Sequence, residues 1–183
     1  MESPKEAESS DIKLILKDGK EISITKKASE LSELLKSAIN DYPKETSFPL
    51  NELDEKNAEL IKEYLEHFNG EPPKEIEKPI SSNDIKNLTD EWSSNFIDKI
   101  NLEELTNLTV AANYMGINCL LDLCCAKVAT LCKDKNEDEI FKMFKINETF
   151  SEEEKNKIKA ENKWIEENLS DHRLTGHQQA LHR

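Results

Sequence analysis

The stretch "VAANYMGINCLLDLCC" (residues 110–125) decides how this chain is read. Its paired cysteines suggest a reactive or metal-binding centre, whereas its apolar spacing suggests a helical surface. Asn101 followed by Glu104 has the grammar of a helix-opening capping box, with Asn in place of Ser. The helix it starts carries Leu102, Leu105, Leu108, Ala112 and Met115 at helical spacing. Gly116 suits the end of that helix, because a left-handed residue costs Gly little. Ile117, Leu120, Leu121, Cys124, Val128, Leu131 and Cys132 then form one broad stripe on a second helix.

The cysteines therefore fall on a single helix. A zinc site needs paired Cys residues separated by a loop that lets four ligands converge. Steps of about 100° per residue put Cys124 and Cys125 on different sides. Adjacent helical thiols also cannot close a disulfide of normal geometry. Cys119, Cys124, Cys125 and Cys132 are expected to act as small hydrophobes. No catalytic residue, metal or cofactor is expected.

Working outward towards the N-terminus, "DIKLILKDGKEISIT" (residues 11–25) alternates at Ile12, Leu14 and Leu16, turns at Asp18-Gly19, and alternates again at Ile22 and Ile24. Asp-Gly between alternating runs predicts a hairpin. Thr25 is placed to cap a helix carrying Leu31, Leu34, Leu35, Ala38 and Ile39. Phe48 to Leu50 reads as a short strand, and Leu60, Ile61, Tyr64, Leu65 and Phe68 mark another amphipathic helix. The pattern dissolves over residues 69–90, where Pro72, Pro73 and Pro79 predict a flexible surface loop. The predicted organisation is a disordered segment over 1–10, a mixed α/β domain over 11–134, a helical extension over 135–168 and a polar, disordered tail over 169–183.

Of the 183 residues, 36% are hydrophobic and 34% charged, with a net charge of −13. That balance argues against nucleic-acid binding, which needs clustered Lys and Arg, and it would steer the chain towards a basic partner. No apolar run is long enough to span a membrane, and no signal-peptide core follows Met1. Reduced thiols and residence in the cytoplasm and nucleus are expected. His172, His177 and His182 recur every five residues in the tail, a spacing that does not align on one helical face.

Asn136 with Glu139, and Ser151 with Glu154, open two further helices. The first carries Ile140, Phe141 and Phe144, and the second carries Ile158 and Trp164. A short helical pair following a complete α/β unit has little to bury its apolar residues against unless a partner supplies the other wall. Helix-in-groove partner binding is the functional class this favours.

The residues just described resemble the Skp adaptors (S-phase kinase-associated protein type) of SCF ubiquitin ligases, which join a cullin scaffold to F-box proteins. The resemblance is carried by "VAANYMGINCLLDLCCAKVA" (residues 110–129) and "DEIFKMFKINETFSEEEKNKIKAENKWIEE" (residues 138–167). It implies a BTB/POZ α/β fold followed by a helical C-terminal extension, in a non-catalytic adaptor. It implies cullin contact through Asn113 and Tyr114. It implies F-box contact through Leu105, Leu108, Leu121 and Val128, with Ile140, Phe144, Ile146 and Trp164 from the extension. An exposed apolar layer also allows a homodimer when no F-box protein is bound. Thr106 stands where the family commonly has an aromatic, and Cys119 where it usually has Gly. The alternatives are an Elongin-C-like or other BTB adaptor, which usually lacks the extension, and a thiol- or metal-dependent enzyme.

Overall fold

A computed structural model describes residues 11–146 and 150–163. The chain forms two units, one reaching to Asn136 and the other beginning at Glu137. The expected disordered segments at 1–10 and 169–183, the tail histidines and Trp164 lie outside the described residues.

In the first unit, strand β1 (Asp11–Leu16) pairs antiparallel with β2 (Glu21–Thr25) and parallel with β3 (Ser47–Leu50), giving the order β2-β1-β3. Ile12, Leu14 and Leu16 alternate inward as expected. Gly19 holds φ at +82° in the connecting turn, and the Lys20 amide donates to Asp18 Oδ1 at 3.1 Å. Parallel pairing of β1 with β3 requires a crossover. A 3-10 turn (Ala28–Leu31) and helix α1 (Glu33–Asp41) provide it.

That crossover departs from the expected single helix. Thr25 Oγ1 does accept from the Ala28 amide at 3.2 Å, yet the chain breaks at Ser32, which is extended at φ −100° and ψ 117°. The Ser32 hydroxyl accepts from the Leu35 amide at 3.3 Å and donates to the Met115 carbonyl at 2.6 Å. A buried tertiary bond thus sets the true start of α1. Ser32→Ala removes a cap worth about 1 kcal/mol together with that bond. It should lower the melting temperature by several degrees, which a thermal melt checks.

Helix α2 (Glu55–Phe68) is capped by Asp54 and stops at Asn69, which is left-handed at φ 45°. The Pro-containing stretch that follows is fastened to the fold. Lys78 Nζ pairs with Asp122 at 2.8 Å, Lys133 Nζ donates to the Ser81 carbonyl at 3.1 Å, and Ile85 is buried in a second 3-10 turn (Ile85–Asn87). Helix α3 (Glu91–Asp98) carries Trp92, which stacks on Phe96 and, at 3.6 Å between centroids, on His67.

Helices α4 (Leu102–Met115) and α5 (Asn118–Cys132) pack against each other. The Asn101–Glu104 capping box is present, and Gly116 ends α4 at φ +63°. The Ile117 amide donates to the Ala112 carbonyl at 2.9 Å, the closing bond of a Schellman motif. A Cβ on Gly116 would lie 2.9 Å from the Glu33 Cβ. Gly116→Ala therefore combines left-handed strain with a clash and should destabilise the fold by about 1–3 kcal/mol, measurable by urea denaturation.

In the second unit, α6 (Glu137–Met143) follows Asn136, and α7 (Glu152–Glu161) opens on a complete Ser151–Glu154 capping box. Every buried core residue among those described lies in the first unit, between Ile12 and Thr130. The whole is a mixed α/β fold of the BTB/POZ type with a helical extension.

Candidate protein-docking surfaces

Two apolar surfaces of the first unit are left open. The first centres on α4. Val110 and Tyr114, four residues apart, share a helical face, and Asn113 lies between them. Val110 is 67% exposed and Tyr114 37%, and Asn113 is exposed. Tyr114 also lines a groove of about 470 Å³ with Leu34, Ala38 and Tyr42 from α1 and its cap, and Phe48 and Pro49 from β3. Tyr42 is 63% exposed at its edge. The groove exists because α1 must cross over to place β3 beside β1, leaving one side of α1 uncovered.

The second surface is a stripe on α5. Leu121 and Val128 are two helical turns apart and half-buried. Cys125, one turn from each and exposed, sits between them. Cys132 continues the line and is half-buried. Cys124, on the other side, is buried, and burial pushes its thiol up to about 12 against the opposing hydrogen bond of Thr109. Such a thiol is protonated at neutral pH and is a poor nucleophile. The reading of the cysteines as small hydrophobes of a helix fits buried Cys124, whereas Cys125 is exposed on the same helix.

Leu105 and Leu108 require a correction. Both were expected at an F-box surface, but they are 1% and 0% exposed, packed in the core of the first unit. Their i, i+3 spacing gives an apolar face without saying whether the fold or a partner covers it. The outward side of α4 carries Thr106 instead, whose hydroxyl donates to the Leu102 carbonyl at 2.9 Å. Taken by itself, the second unit presents Ile140 and Phe144 half-buried, with Ile146 at 44%, Phe150 at 50% and Ile158 at 41% exposure. These five large apolar side chains are left wholly or partly open to water.

Similarity to known proteins identifies the lineage. Residues 118–165, which include α5, α6 and α7, match the family model "Skp1 family, dimerisation domain". An S-phase kinase-associated protein 1 homolog of Tetrahymena thermophila is 40% identical over 162 residues, 88% of this chain and 98% of that protein. The chain belongs to the Skp1 family. The E3 ubiquitin ligase complex SCF subunit sconC of Arthroderma benhamiae is 34% identical over 157 residues, covering 85% of this chain and 95% of that protein. The Aspergillus terreus subunit of the same name is 32% identical over 151 residues, covering 82% and 92%.

Val110, Tyr42 and Cys125 were not singled out in the sequence as contact residues. Val110 was recoverable, since it lies one turn before Tyr114. Tyr42 was not, because its exposure depends on where α1 ends. Among the described residues, no helix is long and apolar enough to cross a membrane.

Proposed function

We propose that this Skp1-family chain is the non-catalytic adaptor of an SCF-type ubiquitin ligase, bridging a cullin scaffold and F-box substrate receptors. One observation carries the reading: the first unit leaves open two apolar surfaces with no residue in common. The α4 face of Val110, Asn113 and Tyr114, with its groove, is the cullin side. The α5 stripe of Leu121, Cys125 and Val128 contacts the F-box protein, and the extension contacts it in its own right through Ile140, Phe144, Ile146 and Trp164.

Leu105 and Leu108 lie in the core and offer the F-box side no contact area of their own. An F-box helix would supply the wall that the extension lacks, by helix-in-groove packing. A second copy of the chain could cover the same stripe when no F-box protein is present, so the two would compete. The adaptor's work is to raise effective concentration and fix geometry between substrate and ubiquitin-conjugating enzyme, which requires no reacting group. The net charge of −13 favours basic surfaces on its partners. Residence in the cytoplasm and nucleus follows from this role.

The Cys125 position tests the F-box assignment. Cys125→Lys puts a charge in the centre of the stripe without touching the core. F-box affinity should fall at least tenfold by calorimetry, with cullin affinity unchanged. An unchanged F-box affinity would remove α5 from that interface.

A further inference from the structure

A second cavity, separate from the docking groove, lies in the first unit where the start of α1, the start of α5 and residues 72–76 meet. Its volume is about 460 Å³, within the range of small-molecule sites. The apolar lining is Leu31, Tyr64, Ile76 and Leu123, with Cys119 among them. Tyr64 is 0% exposed, and its hydroxyl has no hydrogen-bond partner among the described residues. Cys119, only half-buried, lies near enough to act on that hydroxyl, but a thiol sulfur is a weak acceptor. Burial pushes the Tyr64 phenol far above its usual range, so it is a donor at any physiological pH.

A buried donor left unpaired costs about 1–3 kcal/mol, and a buried hydroxyl ordinarily has a partner. The rim sets the charge of the partner it could take. Glu30, Glu33, Glu75 and Asp122 outnumber Lys36 and Lys74 by four to two, which disfavours an anion. Most of the lining surface is apolar despite Thr89, Ser93 and Asn118, which disfavours a small polar solute. Residues 72–76 form one wall and are held in place by the Lys78–Asp122 pair just beyond them. Cys119 has one side-chain rotor, so this neighbour of the hydroxyl can turn aside without backbone movement.

We propose that this cavity is a binding site for a small, neutral, largely apolar molecule bearing a carbonyl-type acceptor, which takes the Tyr64 hydroxyl proton as a hydrogen bond, with Cys119 as the residue that such a ligand can modify. A ligand carrying a conjugated C=C bond would be captured covalently. The Cys119 Sγ bonds to the terminal alkene carbon as the π bond opens. The thiol proton ends on the carbon next to the carbonyl, nothing leaves, and no oxidant is needed. The site is independent of the adaptor reading, since neither Tyr64 nor Cys119 belongs to either docking surface.

N-phenylacrylamide, which combines an aromatic body, a carbonyl and a conjugated alkene, is the probe. The full chain is labelled at fixed pH, and modification of each cysteine is followed by peptide mass mapping, with exposed Cys125 as internal reference. Cys119 should react at least tenfold faster than Cys125, with a rate that saturates in probe concentration. Excess unreactive N-phenylpropanamide should slow Cys119 alone. Tyr64→Phe, which removes only the hydroxyl, should cut the Cys119 rate at least fivefold while the Cys125 rate and the melting temperature report an intact fold. Ile76→Trp, which fills the cavity from the loop side, should block Cys119 labelling. Cys119 reacting no faster than Cys125, a rate linear in probe, or wild-type Cys119 labelling in either variant would overturn the proposal.

Discussion

Tyr114→Lys in the full chain is expected to weaken binding of a cullin N-terminal domain by about a hundredfold while leaving F-box affinity within twofold. Aromatic residues at the centre of an interface commonly contribute 2 kcal/mol or more when truncated, and lysine adds a charge that must be desolvated. Tyr114 is 37% exposed and forms one wall of the groove with Leu34, Ala38 and Tyr42. Its side chain is thus open to a partner yet tied to the surface beside it. The substitution lies on the outward side of α4, away from the core positions Leu105, Leu108, Ala112 and Met115, so the fold should survive. Biosensor titrations with each partner separate the outcomes. Equal loss of both affinities would mean that the two surfaces are not distinct.

The second large effect is expected in the extension. Replacing Ile140, Phe144 and Ile146 together by Ala should reduce F-box affinity at least a hundredfold and leave cullin affinity unchanged. Each side chain that becomes buried in a complex contributes about 1.5–3 kcal/mol, part of which is offset by the ordering of the segment on binding. Ile146 is 44% exposed, and Ile140 and Phe144 are half-buried, so water-accessible apolar area is there to be covered. The melting transition of the first unit should not move, because every buried core residue described lies in that unit. Calorimetry against an F-box segment checks the affinity, and a thermal melt checks the fold. A loss of less than threefold would detach the extension from F-box recognition.

How much of this was legible in the sequence depends on the range of the interaction that sets each feature. The Asn101–Glu104 and Ser151–Glu154 boxes are side-chain-to-backbone bonds three residues apart, so the chain itself displays them. The Asp18-Gly19 turn and the alternation of β1 are equally local. The break at Ser32 is not, because it is fixed by the Met115 carbonyl, 83 residues away. A local reading of residues 25–39 sees a cap and a periodic stripe, and it merges two pieces into one helix.

The candidate docking surfaces were legible as chemistry and only partly as geometry. Periodicity put Leu105, Leu108, Leu121 and Val128 on apolar faces, but it cannot say which faces the fold covers itself. The fold buries the first two and leaves the second two half-open. The same phase of α5 exposes Cys125 and buries Cys124. Their placement on different sides was predictable from the helical step, whereas which of them faces water was not. The loop over 69–90 reads as flexible from its prolines, yet its anchors, Lys78 to Asp122 and Lys133 to the Ser81 carbonyl, bridge 44 and 52 residues.

The adaptor role is tested most directly by a three-component reconstitution. The full chain is mixed at equal concentrations with a cullin N-terminal domain and an F-box protein, and the mixture is resolved by size-exclusion chromatography with light scattering. The expected result is one complex with the mass of a 1:1:1 assembly, formed only when this chain is present. Two binary complexes that exclude each other, or co-elution of the cullin and the F-box protein without this chain, would contradict it.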